Sequence, residues 1–262
     1  MHKIGFSCFV CLMVGLLGVS QTSEADEVRL VGNKVETFIN DKGQASRLTD
    51  LVAAALDTLP HSITATTQAW SGSGLRNGRF DGYIDHYSLN NPKRAYLYSA
   101  PYVSLELHVA STKASALDIY RIDQLYRERV GLETRFANTD QVRSERSVKW
   151  ARAQDFFNNM EQLAEQRVDF IVADKLMLEE MNKLLADIEQ EPLYISNNPI
   201  FVVDVSLGMR GDFANAEQFI SDFELGINEL KTAMTFDLIY RPASEAESSL
   251  DVTLYEEILK RW

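Results

Sequence analysis

The stretch that most constrains the fold is a short helix-to-strand unit between residues 75 and 84. Leu75, Gly78 and Asp81 recur three residues apart, as on the last turns of a helix, and an Asn-Gly pair supplies a stop. An apolar segment over residues 80–84 follows this stop and is typical of a buried strand. The pattern therefore predicts a helix, a tight turn and a strand.

The same pattern returns in the second half of the chain. Met160 and Leu163 lie at helical spacing, and the apolar strand residues of the segment 167–174 follow them. An amphipathic pattern over residues 48–56 and a strand at 63–67 add further alternation of helix and strand. The sequence thus predicts an α/β protein with two halves of similar build.

The amino terminus has the composition of a secretory signal peptide. Basic residues precede an apolar run over residues 4–19, and Ser23-Glu24-Ala25 is a small-x-small cleavage site. We predict cleavage after Ala25 and export to the periplasm, with no lipid anchor. Both cysteines lie within the removed segment, so the mature chain has no thiol for disulfides, metal binding or nucleophilic catalysis.

Charge and histidine content exclude other classes of function. A formal net charge of −12 disfavours binding to nucleic acid or to anionic lipid. The chain has 4 histidines and neither an HExxH motif nor a His-x-His pair, so we expect no metal and no cofactor. We expect a monomer whose partner is a small molecule.

Arg94 is the first candidate for ligand binding. It follows a polar loop, residues 88–93, just beyond the carboxyl end of the predicted strand, where open α/β sheets place their ligand groups. A guanidinium group can hold a carboxylate with two parallel hydrogen bonds. The alternative is a solvated surface arginine.

The segment around Arg94 resembles a known signature. Its ordered residues resemble the first lobe of bacterial extracellular solute-binding proteins of the polar amino-acid class; they are Leu75, Gly78, Asp81, Lys93-Arg94, Tyr98-Ser99 and Pro101-Tyr102. The resemblance implies a type 2 periplasmic-binding fold, in which two α/β lobes joined by two crossover strands enclose a ligand cleft. It also implies that Arg94 binds the α-carboxylate of an amino acid or related carboxylate, and that an ABC-type permease is the membrane partner.

The resemblance implies the positions of other ligand-binding residues. They are Phe38, Trp70, Tyr87, Ser88, Tyr102, Thr134, Arg135 and Asp174. Asp174 follows a buried strand, where relatives carry the acid that binds the ligand's ammonium group, although a helix N-cap at this position is the alternative. For Trp70 the alternative is a half-buried packing residue, which is the more common role of a Trp at the end of a strand.

Two segments depart from the family pattern. The loop that contains Phe38 lacks the usual aromatic-Pro-Pro-aromatic turn. The segment 133–136 replaces the usual Gln-Gly-Thr/Ser, so that Arg135 stands where relatives bind the carboxylate. If Arg135 faces the cleft, ligands with an extra acidic group should be preferred.

The domain prediction places the crossover strands at 105–110 and 200–205. Residues 1–25 are the signal peptide, 26–110 the first part of lobe 1, 111–199 lobe 2, and 200–262 the return segment of lobe 1. Within that return segment, residues 214–234 are predicted to be a helical pair, and residues 254–262 a short amphipathic helix.

Two other functions use the same scaffold. A dehydratase-like enzyme would need a general acid or base in the cleft, and His86 or Asp85 could supply one. The chain has no nucleophile elbow and no metal motif, so we predict a binding protein without catalytic residues. A ligand-sensing protein that is not coupled to import is the remaining alternative.

Overall fold

The computed structural model describes residues 27–41, 44–241 and 248–262. The predicted signal peptide lies outside these residues, so its cleavage stays a prediction.

The first unit of the fold consists of three parallel strands and two helices. Its elements are β1 (Val28–Asn33), α1 (Arg47–Ala55), β2 (His61–Thr66), α2 (Gln68–Arg76) and β3 (Gly82–Tyr87). Leu48, Leu51 and Val52 form the buried face of α1, as the helical spacing predicts. Gly78 ends the turn after α2 with a φ of 74°, a conformation that glycine adopts without steric cost.

A second unit repeats this order. Its elements are β6 (Arg129–Glu133), α3 (Thr134–Ala137), α4 (Asp140–Ser144), β7 (Lys149–Ala153), α5 (Phe156–Ala164), β8 (Phe170–Asp174) and α6 (Lys175–Asp187). Both units have the first strand in the middle, as β2-β1-β3 and as β7-β6-β8. The residues predicted as a loop at 133–136 end β6 and begin the short helix α3.

The predicted helix-to-strand segment occurs in both units, and the same kind of Asp–Arg interaction holds it in each. Asp81 accepts hydrogen bonds from the backbone and side chain of Arg29, and its own N–H donates to the Arg29 carbonyl. Asp169 accepts from the Arg129 side chain at 3.2 Å and donates its N–H to the Arg129 carbonyl. The acid after each turn thus fixes the start of the neighbouring central strand.

The remaining elements connect the two units. They are β4 (Tyr96–Tyr98), β5 (Val103–Ser111), two 3₁₀ turns (Ala114–Asp118 and Ile122–Leu125), β9 (Tyr194–Ile195), β10 (Phe201–Arg210), α7 (Ala216–Thr232), α8 (Thr235–Tyr240) and α9 (Val252–Leu259). The short strands β4 and β9 pair with β10 and β5 and were not expected from the sequence.

The long strands β5 and β10 set the relative direction of the units. They pair antiparallel with each other, the end of β10 pairs with β3, and the end of β5 pairs with β8. Along this ladder Tyr87 lies level with Val103 and Asp174 lies level with Leu107. The strands β3 and β8 therefore run towards each other, and their carboxyl ends meet.

The carboxyl-terminal helices differ from the sequence prediction in one respect. Residues 214–234 do not form a helical pair: the buried face of α7 continues unbroken from Ala216 to Ile227, and a second helix begins only at Thr235. The tail forms α9 as predicted. Its Tyr255 packs on Phe156 and Phe157 of α5, and its hydroxyl donates to Glu36 at 2.8 Å, so α9 contacts both units.

Candidate functional site

The strongest concentration of buried polar groups lies where the carboxyl ends of β1, β3, β6 and β8 approach one another. These strands end in or near Asn33, Asp85, Glu133 and Asp174. The last three are acids with at most 4% of their surface exposed. Open α/β sheets bind ligands at this end of their strands, which makes this region the candidate site.

Arg135 lies at the centre of this region. Its Nε and Nη2 each donate to a carboxylate oxygen of Glu133 at 3.0 Å, and its Nη1 donates to the Tyr87 hydroxyl at 3.0 Å. The guanidinium carbon lies 4.3 Å from the ring centre of Phe136 and 5.4 Å from that of Tyr87. We call Tyr87, Glu133, Arg135 and Phe136 the Arg135 cluster. It joins the first unit to the second.

Asp85 has a carboxylate oxygen without a partner. Its Oδ2 accepts from the backbone N–H and side-chain amide of Asn33, at 3.2 and 2.7 Å. The Asn33 amide oxygen in turn accepts from the Ser71 hydroxyl at 2.7 Å, which fixes the amide's orientation. The buried Oδ1 has no hydrogen-bond partner in the described part of the chain. A buried acceptor of this kind usually has a donor, so the group is suited to a ligand.

Asp174 is buried and caps a helix. Its Oδ1 accepts from the Leu176 N–H at 2.9 Å, at the start of α6. The N-cap alternative raised from the sequence is therefore present in the structure.

The pKa values of this region follow from burial. Burial raises the pKa of Asp85 to about 7, against hydrogen bonds from Asn33 that lower it. It raises the pKa of Asp174 to about 7 as well, against the charge of Arg135. Burial also raises the pKa of Tyr87 to about 12. Desolvation would lower the pKa of Arg135, but Glu133 and Tyr87 outweigh it and raise that pKa. Arg135 is therefore charged.

The structure brings Tyr87, Arg135 and Asp174 of the predicted residues together, and places the others apart. Arg94 is exposed in the loop after β3 and makes no hydrogen bond or ion pair with the residues that the structure describes. Trp70 is 64% exposed on α2. The remaining predicted residues have partners within the protein. The Ser88 hydroxyl accepts a hydrogen bond from the Asp204 N–H, and the Tyr102 hydroxyl donates to the Ile84 carbonyl. The Thr134 hydroxyl donates to the Ala153 carbonyl, and Phe38 is buried against Tyr240.

Sequence reasoning did not assign Glu133 or Asn33 to the site. Both are the last residues of central strands, β6 and β1, in the two repeated units. Their equivalent positions in the repeat were the signal that could have identified them.

Further contacts link the two units. Arg47 of α1 and Glu180 of α6 form an ion pair at 3.1 Å, with 6% and 4% of their side chains exposed. The Thr37 hydroxyl lies 3.1 Å from the Met177 sulfur, and the backbone of Thr37 has a φ of 62°. Positive φ is rare for a β-branched residue, which marks the loop before α1 as locally strained.

Asp85 and His86, either of which could be the general acid or base of an enzyme, lie in different surroundings. Asp85 and His86 are neighbours on β3, so their side chains point to opposite faces of the sheet. Asp85 faces Asn33, whereas His86 lies against Tyr83 and Tyr98. Of the two, Asp85 is the residue that belongs to the candidate site.

Residues 27–41, 44–241 and 248–262 contain neither a metal-binding cluster nor a membrane-spanning helix. No group of three or more His, Cys, Asp or Glu side chains there is arranged to hold a metal ion. No helix in this part of the chain is long and apolar enough to cross a membrane.

Comparison with known proteins finds similarity in structure alone. No protein-family model matches the chain. No curated protein sequence matches it either. The ligand-binding core of GluR0, solved with L-glutamate, superposes with a TM-score of 0.67 at 10% identity over 83% of this chain and 97% of that one.

Two other solved structures are similar to the same extent. The amino-acid ABC transporter substrate-binding protein AbpA from Streptococcus pneumoniae, bound to L-arginine, gives a TM-score of 0.65 at 14% identity over 85% of this chain and 96% of that one. A histidine kinase sensor domain with similarity to periplasmic binding proteins gives 0.63 at 14% identity, over 84% and 97%.

These likenesses confirm the predicted fold. The chain has the α/β architecture of type 2 periplasmic binding proteins. The three neighbours are named for ligand binding or sensing, and at 10–14% identity they bear on the fold of this chain.

Proposed function

We propose that the chain is a solute-binding protein that captures a small polar ligand between two lobes. Lobe 1 comprises residues 26–110 and 200–262, lobe 2 comprises residues 111–199, and the ligand is an amino acid or related compound that carries an ammonium group. The protein acts after export to the periplasm and delivers the ligand to an ABC-type permease.

The observation that carries this proposal is the unpartnered oxygen of Asp85. Leaving a buried carboxylate oxygen without a donor costs free energy, and a ligand ammonium group would supply the missing donor. The position at the meeting of the two units means that such a ligand would contact both. Its contacts would then favour closure of the lobes.

Each part of the ligand has a proposed partner. Asp85 takes the ammonium group, and it suits this role better than Asp174, which already caps α6. Arg94 takes the carboxylate. Its loop lies at the boundary between the units, since Asn91 of the same loop donates to Asp140 of the second unit at 3.0 Å. Trp70 is exposed enough to cover the ligand's remaining atoms.

The test begins with thermal-shift screening of the mature protein against amino acids, simple carboxylates and simple amines. A ligand that binds only the folded state raises the melting temperature. Titration calorimetry of Asp85→Asn with the compound that binds should then show a loss of about 2 to 5 kcal/mol, or roughly thirty-fold to several-thousand-fold in Kd. Arg94→Ala should lose affinity for amino acids but spare amines that lack the carboxylate.

Exposed residues of the same types supply matched controls. Asp187→Asn and Arg143→Ala change surface side chains and should leave Kd unchanged. If Asp85→Asn binds within about three-fold of the wild type, the ammonium group is not held at Asp85 and the proposal loses its main support.

Sensing without import is the second candidate. The chain's own side chains link the two units at Arg135 and at Arg47, so the empty protein has bonds that favour the closed arrangement. The similarity in fold to a kinase sensor domain agrees with such a role. A permease and an ATPase encoded beside this gene would favour import instead.

A further inference from the structure

The side chain of Arg135 occupies a site that could hold a free guanidinium cation. One edge of the guanidinium group meets both oxygens of Glu133, and a third nitrogen donates to Tyr87. Aromatic rings of Phe136 and Tyr87 lie within 6 Å of the guanidinium carbon. A bidentate carboxylate, a hydroxyl acceptor and aromatic rings are the groups that bind guanidinium most strongly.

This site is built from both units. Glu133 and Phe136 belong to the second unit, whereas Tyr87 ends β3 of the first. The cation that fills the site therefore also joins the units. A ligand of a two-lobed protein has this same position, because it bonds to both sides of the boundary.

The charge around the site would attract a cation if Arg135 were absent. Three buried acids, Asp85, Glu133 and Asp174, are close enough to Arg135 for its charge to interact with theirs. Tyr87 and Tyr240 add further oxygen atoms. Removing Arg135 would take away its counter-charge to these buried acids, which is unfavourable in a desolvated environment.

We propose that Arg135 is a built-in occupant of a guanidinium-binding site at the boundary between the units, and that a free planar cation binds there when the side chain is removed. In the wild type Arg135 holds the units together without a ligand. A ligand that carries a guanidinium group would have to displace it. The inference rests on the proposed two-lobed arrangement but not on the role of Asp85 or Arg94.

The test uses Arg135→Ala and methylguanidinium chloride. This cation should raise the melting temperature of Arg135→Ala saturably, by about 3 to 5 °C at ten times the half-saturating concentration. Sodium chloride at equal ionic strength should not. The wild type and Arg143→Ala, which loses an exposed arginine, should show no saturable shift because the site is filled.

A second variant keeps the test decisive if Arg135→Ala folds poorly. The double variant Arg135→Ala with Glu133→Gln removes both charges of the pair, so it should fold better than Arg135→Ala and should not respond to methylguanidinium. If Arg135→Ala alone is unfolded, methylguanidinium should restore its folded fraction. No saturable shift and no restoration of folding, or an equal response of the double variant, would overturn the inference.

This outcome is separable from that of the proposed function. A wild type that binds an amino acid, together with an Arg135→Ala variant that ignores methylguanidinium, removes only this inference. If Arg135→Ala responds to methylguanidinium but the wild type binds no compound of the screen, this inference is supported and the proposed solute binding is not.

Discussion

Burial and hydrogen bonding decide which acidic residues of this protein carry charge. Burial would raise the pKa of Asp81, but hydrogen bonds from Arg29 outweigh it and lower that pKa. Lys113 and Arg129 lower the pKa of Asp169 in the same way. Asp85 has an amide partner instead of a cation, so burial prevails and its pKa rises to about 7. The first two acids fix strands, whereas Asp85 is suited to meet a cation.

A pH dependence of stability follows from Asp85. Because its pKa in the folded state exceeds that of the unfolded chain, folding favours the protonated form, and the free energy of unfolding falls as pH rises from about 4 to about 7. Above pH 7 this difference in the pKa of Asp85 lowers the free energy of unfolding by up to about 4 kcal/mol. We expect Asp85→Asn, which cannot ionise, to gain stability relative to the wild type over this range.

Urea unfolding at pH 5 and pH 8 measures this difference. Asp174 also titrates near neutral pH, so the wild-type curve alone does not isolate Asp85. The comparison with the variant does, and the exposed control Asp187→Asn should give the same difference from the wild type at both pH values. If the free energies of unfolding of Asp85→Asn and the wild type differ by the same amount at pH 5 and pH 8, Asp85 is ionised in the folded protein at both pH values.

At the scale of secondary structure, the sequence predicted the repeated elements well. The Gly78 turn, the strands after Asp81 and Asp169 and the amphipathic α1 all follow from local spacing. The short strands β4 and β9 could not be predicted, because three and two residues carry too little pattern. The break assigned within 214–234 was wrong because the apolar spacing of α7 continues without interruption.

The candidate site was less predictable than the elements. Arg135 and Tyr87 are 48 residues apart, and their contact depends on how the two units meet. The pairing of Arg135 with Glu133 also uses the guanidinium charge internally, which the expectation of an acidic ligand did not foresee. Exposure of Arg94 likewise depends on the path of a loop rather than on periodicity.

Helix packing provides a test at this scale, through two helical glycines. A Cβ at Gly226 of α7 would lie 2.0 Å from the carbonyl oxygen of Ala55 in α1, so the backbones would have to separate. We expect Gly226→Ala to destabilise the protein by about 1 to 3 kcal/mol, because this overpacking outweighs a helix-propensity gain of about 1 kcal/mol.

Gly72 of α2 is the matched control for this substitution. A Cβ there would meet only the end of the flexible Arg76 side chain, at 3.5 Å, so Gly72→Ala should stabilise by up to about 1 kcal/mol. Urea midpoints at unchanged m-value measure both variants. A Gly226→Ala variant that is as stable as the wild type, or more stable, would show that α1 and α7 are not in close backbone contact.

For the molecule as a whole, two of the contacts between the units involve a buried arginine. One is the Arg135 cluster, and the other is the ion pair of Arg47 with Glu180. Both side chains of this pair are at most 6% exposed, and Arg47 also donates to the Tyr240 carbonyl at the end of α8. Glu180 thus connects α6 of the second unit with α1 and the carboxyl-terminal region.

Glu180→Gln tests whether this pair holds the empty protein closed. The change keeps the shape of the side chain but removes the Glu180 charge from its buried ion pair with Arg47, and breaking a buried ion pair costs about 3 to 5 kcal/mol. The loss is avoided if the units separate and Arg47 reaches water. We therefore expect lower stability in urea and a larger radius of gyration in small-angle X-ray scattering of the ligand-free variant.

The exposed pair of Lys34 with Asp41 is the control for this experiment. Its side chains are 44% and 64% exposed, so Asp41→Asn should cost less than about 1 kcal/mol and leave the radius of gyration unchanged. A destabilised Glu180→Gln variant with the wild-type radius of gyration would show that the pair stabilises the fold without controlling closure. Arg135→Ala then tests whether the Arg135 cluster holds the empty protein closed, in which case this variant increases the radius of gyration while Glu180→Gln does not.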